Sequence, residues 1–154
     1  MARLLRTADE KELFSNKELK DFLWQTMIDT ETGANKLKGM LPAKTVVGHK
    51  TGSSDRNADG MKTADNDAGL VILPDGRKYY IAAFVMDSYE TDEDNANIIA
   101  RISRMVYDAM RWREARGSIG SSSYKVLILG YILQKSIAVV LVIYAGNNNA
   151  EARC

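Results

Sequence analysis

The apolar positions of this chain follow two different periods. Leu4 and Leu5 open a helical pattern over residues 1–5, and Leu19, Phe22, Leu23 and Met27 recur at intervals of three and four, the spacing of one helix face. Ser15 with Glu18 three positions later has the form of a capping box, so this second helix is expected to begin near residue 15. Trp24 falls one residue off the stripe and reads as a packing residue rather than a ligand platform. The period then changes. Gly33, Gly39 and Pro42 punctuate a connection that ends at the β-branched run Thr45-Val46-Val47, and His49 is expected to close that strand. Residues 68–73 form a short apolar strand, Pro74-Asp75-Gly76 a turn, and residues 78–85 a strand rich in Tyr, Ile and Phe, together an antiparallel hairpin. Residues 93–113 return to the helical period, with acids before the start and Arg101, Arg104, Arg111 and Arg113 in or toward the C-terminal part, the order that suits a helix dipole. Ile98, Ile102, Met105 and Met110 mark the expected buried side of that helix.

These elements predict an α+β fold with three antiparallel strands and flanking helices. The polar stretch 53–65 reads as the loop between two strands, and Asn66-Asp67 as a turn and strand-start pair. Asp55, Asn57, Asp59 and Gly60 match the first six positions of a calcium loop, but Asn66 stands at the twelfth position, where a glutamate is required. A hairpin loop is the expectation there. His49 is the single histidine and Cys154 the single cysteine, so no metal site is expected.

Candidate chemistry lies in His49-Lys50-Thr51-Gly52, followed by Ser53 and Ser54. A glycine on a strand lets a flat ligand lie close to the backbone. A lysine ammonium and a threonine hydroxyl can both engage a carboxylate, and alternation along a strand sends them to opposite faces. The Ser53 backbone N–H at a strand edge is a suitable half of an oxyanion hole.

The surrounding order, with Thr32-Gly33, Leu37-Lys38-Gly39, Leu41-Pro42, the tetrad, Asn66-Asp67 and Leu73-Pro74-Asp75-Gly76, resembles the C-terminal half of a class A serine β-lactamase over residues 1–111. It is most similar to the branch found in Bacteroides and related bacteria. The resemblance implies an αβα sandwich and hydrolysis of the β-lactam ring of penicillins and cephalosporins through a serine acyl-enzyme, without a cofactor. It implies that Lys50, Thr51 and Gly52 line the site on an edge strand and bind the substrate carboxylate. Ser53 would complete the oxyanion hole, and Ser54 would occupy the position where the family tunes substrate range. It also makes His49 a variant position and not a catalytic one. Many members reinforce the carboxylate contact with an arginine at the start of the neighbouring strand, but here that stretch reads Asp65-Asn66-Asp67, leaving Lys62 or Arg56 to approach instead.

The family's S-x-x-K, S-D-N and deacylating glutamate should precede the tetrad, and they do not. Ser122-Ser123-Tyr124-Lys125 has the S-x-x-K form but follows the tetrad in a Ser/Gly-rich segment, and Ser54-Asp55-Arg56 is only a partial S-D-N in the wrong place. The isolated chain is therefore expected to be inactive, as a remnant or as a half that works with a missing N-terminal half. The family is periplasmic, whereas no export signal opens this sequence, so a chain expressed alone would stay in the cytoplasm. A net charge of +1 over 154 residues gives no reason to expect nucleic acid.

Residues 1–113 thus form the C-terminal part of a β-lactamase domain, 114–123 a Gly/Ser-rich linker and 124–154 an apolar extension of unknown role. Within the extension two readings compete. One is a membrane helix across residues 126–145, in which Lys135 costs roughly 2.5–3.5 kcal/mol against the gain from a dozen apolar residues. The other, favoured here, is an unselected extension of two β-prone segments, 126–133 and 137–144.

Overall fold

The computed structural model describes residues 1–11, 13–112, 125–132 and 137–145. The expected turn at Pro74-Asp75-Gly76 organises the sheet. Gly76 takes φ 81° and donates its N–H to Leu73 O at 2.9 Å, joining β2 (Lys62–Ile72) to β3 (Lys78–Ser88). β1 (Val46–Ser53) pairs antiparallel with β2 from Val46↔Ile72 to Ser53↔Asp65. The three expected strands are present, and two more extend the sheet: β4 (Lys125–Ile132) and β5 (Ile137–Ala145), in the order β1-β2-β3-β5-β4. These fall on the two β-prone segments of the extension. Among the described residues no helix is long and apolar enough to cross a membrane. The Gly/Ser-rich linker, Ser122 to Tyr124 and Cys154 lie outside the described residues.

Helices cover both faces of the sheet. α1 (Ala2–Glu10) and α2 (Lys17–Ile28) pack Ala2, Ala8, Trp24 and Met27 against Leu70, Tyr80 and Ala82. α3 (Asp92–Trp112) packs Ile99, Val106 and Tyr107 against Val71, Tyr79, Ile81 and Val85 on the other face, where Leu37 and Ile143 join the cluster. Neighbouring residues such as Leu70 and Val71 go to opposite faces, the alternation of a strand. β3 is covered on both, and its residues 79–83 accordingly read as a continuous run without polar interruption.

Several boundaries differ from the expectation. The cap of α2 is Asn16, whose side chain accepts from Leu19 N at 2.9 Å, and not Ser15. Leu19 and Phe22 are exposed, because α2 turns Trp24 and Met27 toward the sheet. Gly48 sets that contact: a Cβ there would lie 3.3 Å from Ile28 Cγ1 and 3.4 Å from Met27 Cβ. Met105 is likewise exposed, and Ile99, Val106 and Tyr107 form the buried side of α3 with Ile98, Ile102 and Met110 at its margin. β1 runs through His49 to Ser53, and β2 begins at Lys62, so Asn66 and Asp67 sit within a strand and the loop is shorter than expected.

α1 is fastened to β3 by Asp9, which accepts from Tyr80 Oη at 2.7 Å and Lys78 Nζ at 2.9 Å. Burial works to raise the Asp9 carboxyl, but the Tyr80 hydrogen bond and the Lys78 and Lys20 charges outweigh it, and it titrates below its ordinary value. A depressed folded-state value means stability that is complete above the ordinary carboxyl range and lost as pH falls through the folded value. Asp9→Asn should therefore flatten the loss of stability below about pH 4, a difference of about 1 kcal/mol in urea unfolding between pH 6 and pH 3.

Candidate functional site

β1 is an edge strand, and its free edge carries the tetrad. Ser54 N donates to Ala64 O at 2.9 Å, toward β2. N–H groups alternate in an antiparallel ladder, so that of Ser53 is turned to the unpaired edge. A Cβ built on Gly52 would meet nothing within 4 Å, so the backbone beside it is open to a ligand. Lys50 is exposed and donates to Thr51 O at 2.6 Å. By alternation it shares the α2 side with Gly48, while Thr51 and Ser53 project with His49 toward the α3 side. Ser54, just past the strand, exchanges hydrogen bonds with Ala64 through its hydroxyl, donating to the carbonyl at 3.3 Å and accepting from the N–H at 3.1 Å.

Thr51 and Ser53 open onto a cleft of about 460 Å³. Its walls come from Gly33, Asn35 and Lys36 of the connection before β1, from Lys62 and Asp65 of β2, and from Asp92, Glu93 and Ala96 at the start of α3. Gly33 adopts φ 71°, and a side chain there would collide with the Thr51 methyl, so glycine is what lets the connection close against the strand. Lys36 donates to Asp65 Oδ1 at 2.5 Å, both nearly excluded from solvent. Lys62 pairs with Asp92 Oδ2 at 3.0 Å, and that bond together with Arg56 at 2.7 Å holds the Asp92 carboxyl below its usual value. Of the two cations expected to approach, Lys62 lines the cleft. Arg56 is committed to the carbonyls of Gly60 and Glu90 and to Asp92.

Behind this wall His49 and Asp67 are fully buried, with Nδ1 donating to Asp67 at 2.8 and 3.0 Å. Asp67 Oδ2 also accepts from Leu37 N at 3.1 Å, tying the connection to the sheet. The pair sits inside the core, which makes His49 a structural residue of the strand. Among the described residues no cluster of acids, histidine or cysteine could hold a metal ion.

The edge of β1 thus presents an open glycine, an outward N–H and a hydroxyl to a cleft whose two lysines are paired with acids of its own lining, and the comparisons decide the family. Residues 1–110 match the β-lactamase enzyme family. The chain belongs to that family. It is 99% identical over 111 residues to a β-lactamase of Bacteroides uniformis, covering 72% of this chain and 38% of that protein. To the VEB-1 β-lactamase of Pseudomonas aeruginosa it is 42% identical over 105 residues, 68% of this chain and 35% of that one. Among solved structures, a class A β-lactamase of Bacteroides cellulosilyticus superposes with a TM-score of 0.70 at 61% identity, covering 72% of this chain and 40% of that one. The TLA-3 extended-spectrum β-lactamase gives 0.69 at 47%, over 71% of this chain and 39% of its own. The chain thus spans well under half the length of the relatives it matches.

For this β-lactamase chain, sequence reasoning missed Lys36, Asp65 and Asp92. Lys36 lies in an irregular connection, where no period shows which way a side chain turns. Asp65 and Asp92 became visible only once strand register and the start of α3 were fixed.

Proposed function

We propose that β1 is the substrate-anchoring strand of a class A serine β-lactamase, and that these 154 residues supply the anchoring part of the site and not the attacking part. The ring amide is opened through a serine acyl-enzyme. Lys50 supplies positive charge for the substrate carboxylate, Thr51 donates its hydroxyl, Gly52 admits the flat ring, and Ser53 N–H binds the oxygen that becomes negative during attack. Ser54 lies where the strand leaves the ladder and limits the substrate's side group. Supporting this reading above all is the edge of β1, where an outward N–H, a hydroxyl and a space free of protein atoms meet at consecutive residues. Among the described residues none of the serine and threonine hydroxyl hydrogen bonds runs to a lysine, the pairing that would activate a nucleophile.

Two assays test the proposal. The purified 154-residue chain is expected to leave nitrocefin unhydrolysed, and serine-dependent turnover would reject it. In the 99%-identical Bacteroides uniformis relative, replacing the lysine that aligns with Lys50 by alanine should lower kcat/KM about 10–100-fold. That is the size of a lost hydrogen bond to a charged group, about 1.5–3 kcal/mol. An unchanged kcat/KM would remove Lys50 from the site. Adding a separately expressed N-terminal half to this chain distinguishes a complementing half, which recovers turnover, from a remnant, which does not.

A further inference from the structure

β3 has no solvent-facing side through most of its length: Tyr79, Tyr80, Ile81, Ala82, Ala83 and Val85 are each 1% exposed or less. Its ladder with β2 satisfies the backbone groups on one edge. The groups on the other edge need partners as well, and left open beside this β-prone run they would invite pairing with another chain. β5 provides the partners, from Tyr79↔Ala145 to Met86↔Ala138, and Ile143 enters the core on the α3 side. β4 then backs β5 from Lys125↔Tyr144 to Ile132↔Ile137.

The origin of these strands gives the observation its weight. The family match ends at residue 110, so β4 and β5 come wholly from outside it. At the opposite margin of the sheet, β1 must keep its edge free for a ligand if the tetrad is to bind one. Extension beside β3 therefore leaves the tetrad uncovered. We infer that β5, backed by β4, is an intrachain closure of a β3 edge that the family-matched residues leave open. An extended segment from another molecule must displace β5 before it can pair with β3. On this inference the two β-prone segments of the extension have a structural role.

The test uses the full chain with Cys154→Ser as background. Met86→Cys combined with Ala138→Cys, a register pair at the end of the β3–β5 ladder, should form an intramolecular disulfide on mild oxidation and leave the protein monomeric. Met86→Cys with Val142→Cys, four residues out of register, should not. Hydrogen exchange gives a second readout on the chain without new cysteines. Val140→Pro removes a ladder hydrogen bond opposite Phe84 and should raise exchange in the Lys78–Ser88 peptide at least 10-fold over the unsubstituted protein. Absence of the in-register disulfide, or equal formation of both, would overturn the inference, as would exchange in Lys78–Ser88 indifferent to Val140→Pro. Should the proline variant fail to fold, the cysteine pairs decide alone.

Discussion

Asp67→Ala is expected to lower the unfolding free energy by about 3 kcal/mol or more, and Asp67→Asn by clearly less. Asp67 has no exposed surface, accepts from both His49 Nδ1 and Leu37 N, and sits between β1 and the connection that carries Lys36. Alanine leaves two buried donors without an acceptor, each costing roughly 1–3 kcal/mol, and adds a small cavity. Asparagine has nearly the same shape and keeps one oxygen for Leu37 N or His49, so about half of that loss is expected to return. In urea, with a slope of about 1–3 kcal/mol/M for a protein of this size, alanine moves the midpoint down by about 1–3 M. If the two variants unfold at the same concentration as the parent, the pair does not hold the strand. Because Leu37 and Lys36 are consecutive, alanine should also loosen Lys36 from Asp65 and widen the cleft. The asparagine variant tests that without unfolding the chain.

This pair shows where the sequence was informative and where it was not. The order of strands and helices and the Pro74-Asp75-Gly76 turn were legible, because each rests on local signals, β-branched runs or a turn residue with positive φ, whereas the edge position of Lys50 to Ser53 followed only from the family resemblance. Asp67 read as a strand-start residue because an acid inside a strand is unusual and its justification, His49, lies 18 positions away. For the same reason His49 read as a strand end. Phe22 and Met105 were expected inside on period alone, yet face out, since a helical stripe says that one side is apolar without saying which neighbour that side will meet. Lys36 was illegible, because it is turned inward by an acid distant in sequence, whereas Lys62 was already a candidate to approach the site. Across the cleft, only Lys62 was legible from the sequence.

Two glycines, one buried and one open, should respond oppositely to the same added methyl group, and the contrast separates what supports β1 from what β1 presents. Gly69 lies opposite His49 in the β1–β2 ladder. A Cβ there would collide with the Gly48 carbonyl oxygen and lie 2.9 Å from His49 Cβ and 3.1 Å from His49 Cα. Two of these neighbours are backbone, so no rotamer change relieves the clash, and β1 has to move away from β2. Gly69→Ala is expected to cost about 2–3 kcal/mol, the upper range of overpacking, and to lower the Tm by about 5–15 °C in a calorimetric scan. The displaced segment includes Lys50, whose partner Ala68 adjoins Gly69, so ligand contacts suffer along with stability. Gly52 is the opposite case, with nothing within 4 Å of its added methyl. Gly52→Ala should leave the Tm within about 2 °C, or raise it slightly as glycine's extra backbone freedom is removed from the unfolded chain. In the Bacteroides uniformis relative, the equivalent alanine should nevertheless lower kcat/KM for nitrocefin, because the methyl occupies the space into which the substrate must fit. A Gly52→Ala variant that matched the parent in both readouts would show that no ligand lies against this edge. A Gly69→Ala variant as stable as the parent would show that β1 and β2 are farther apart than this register places them.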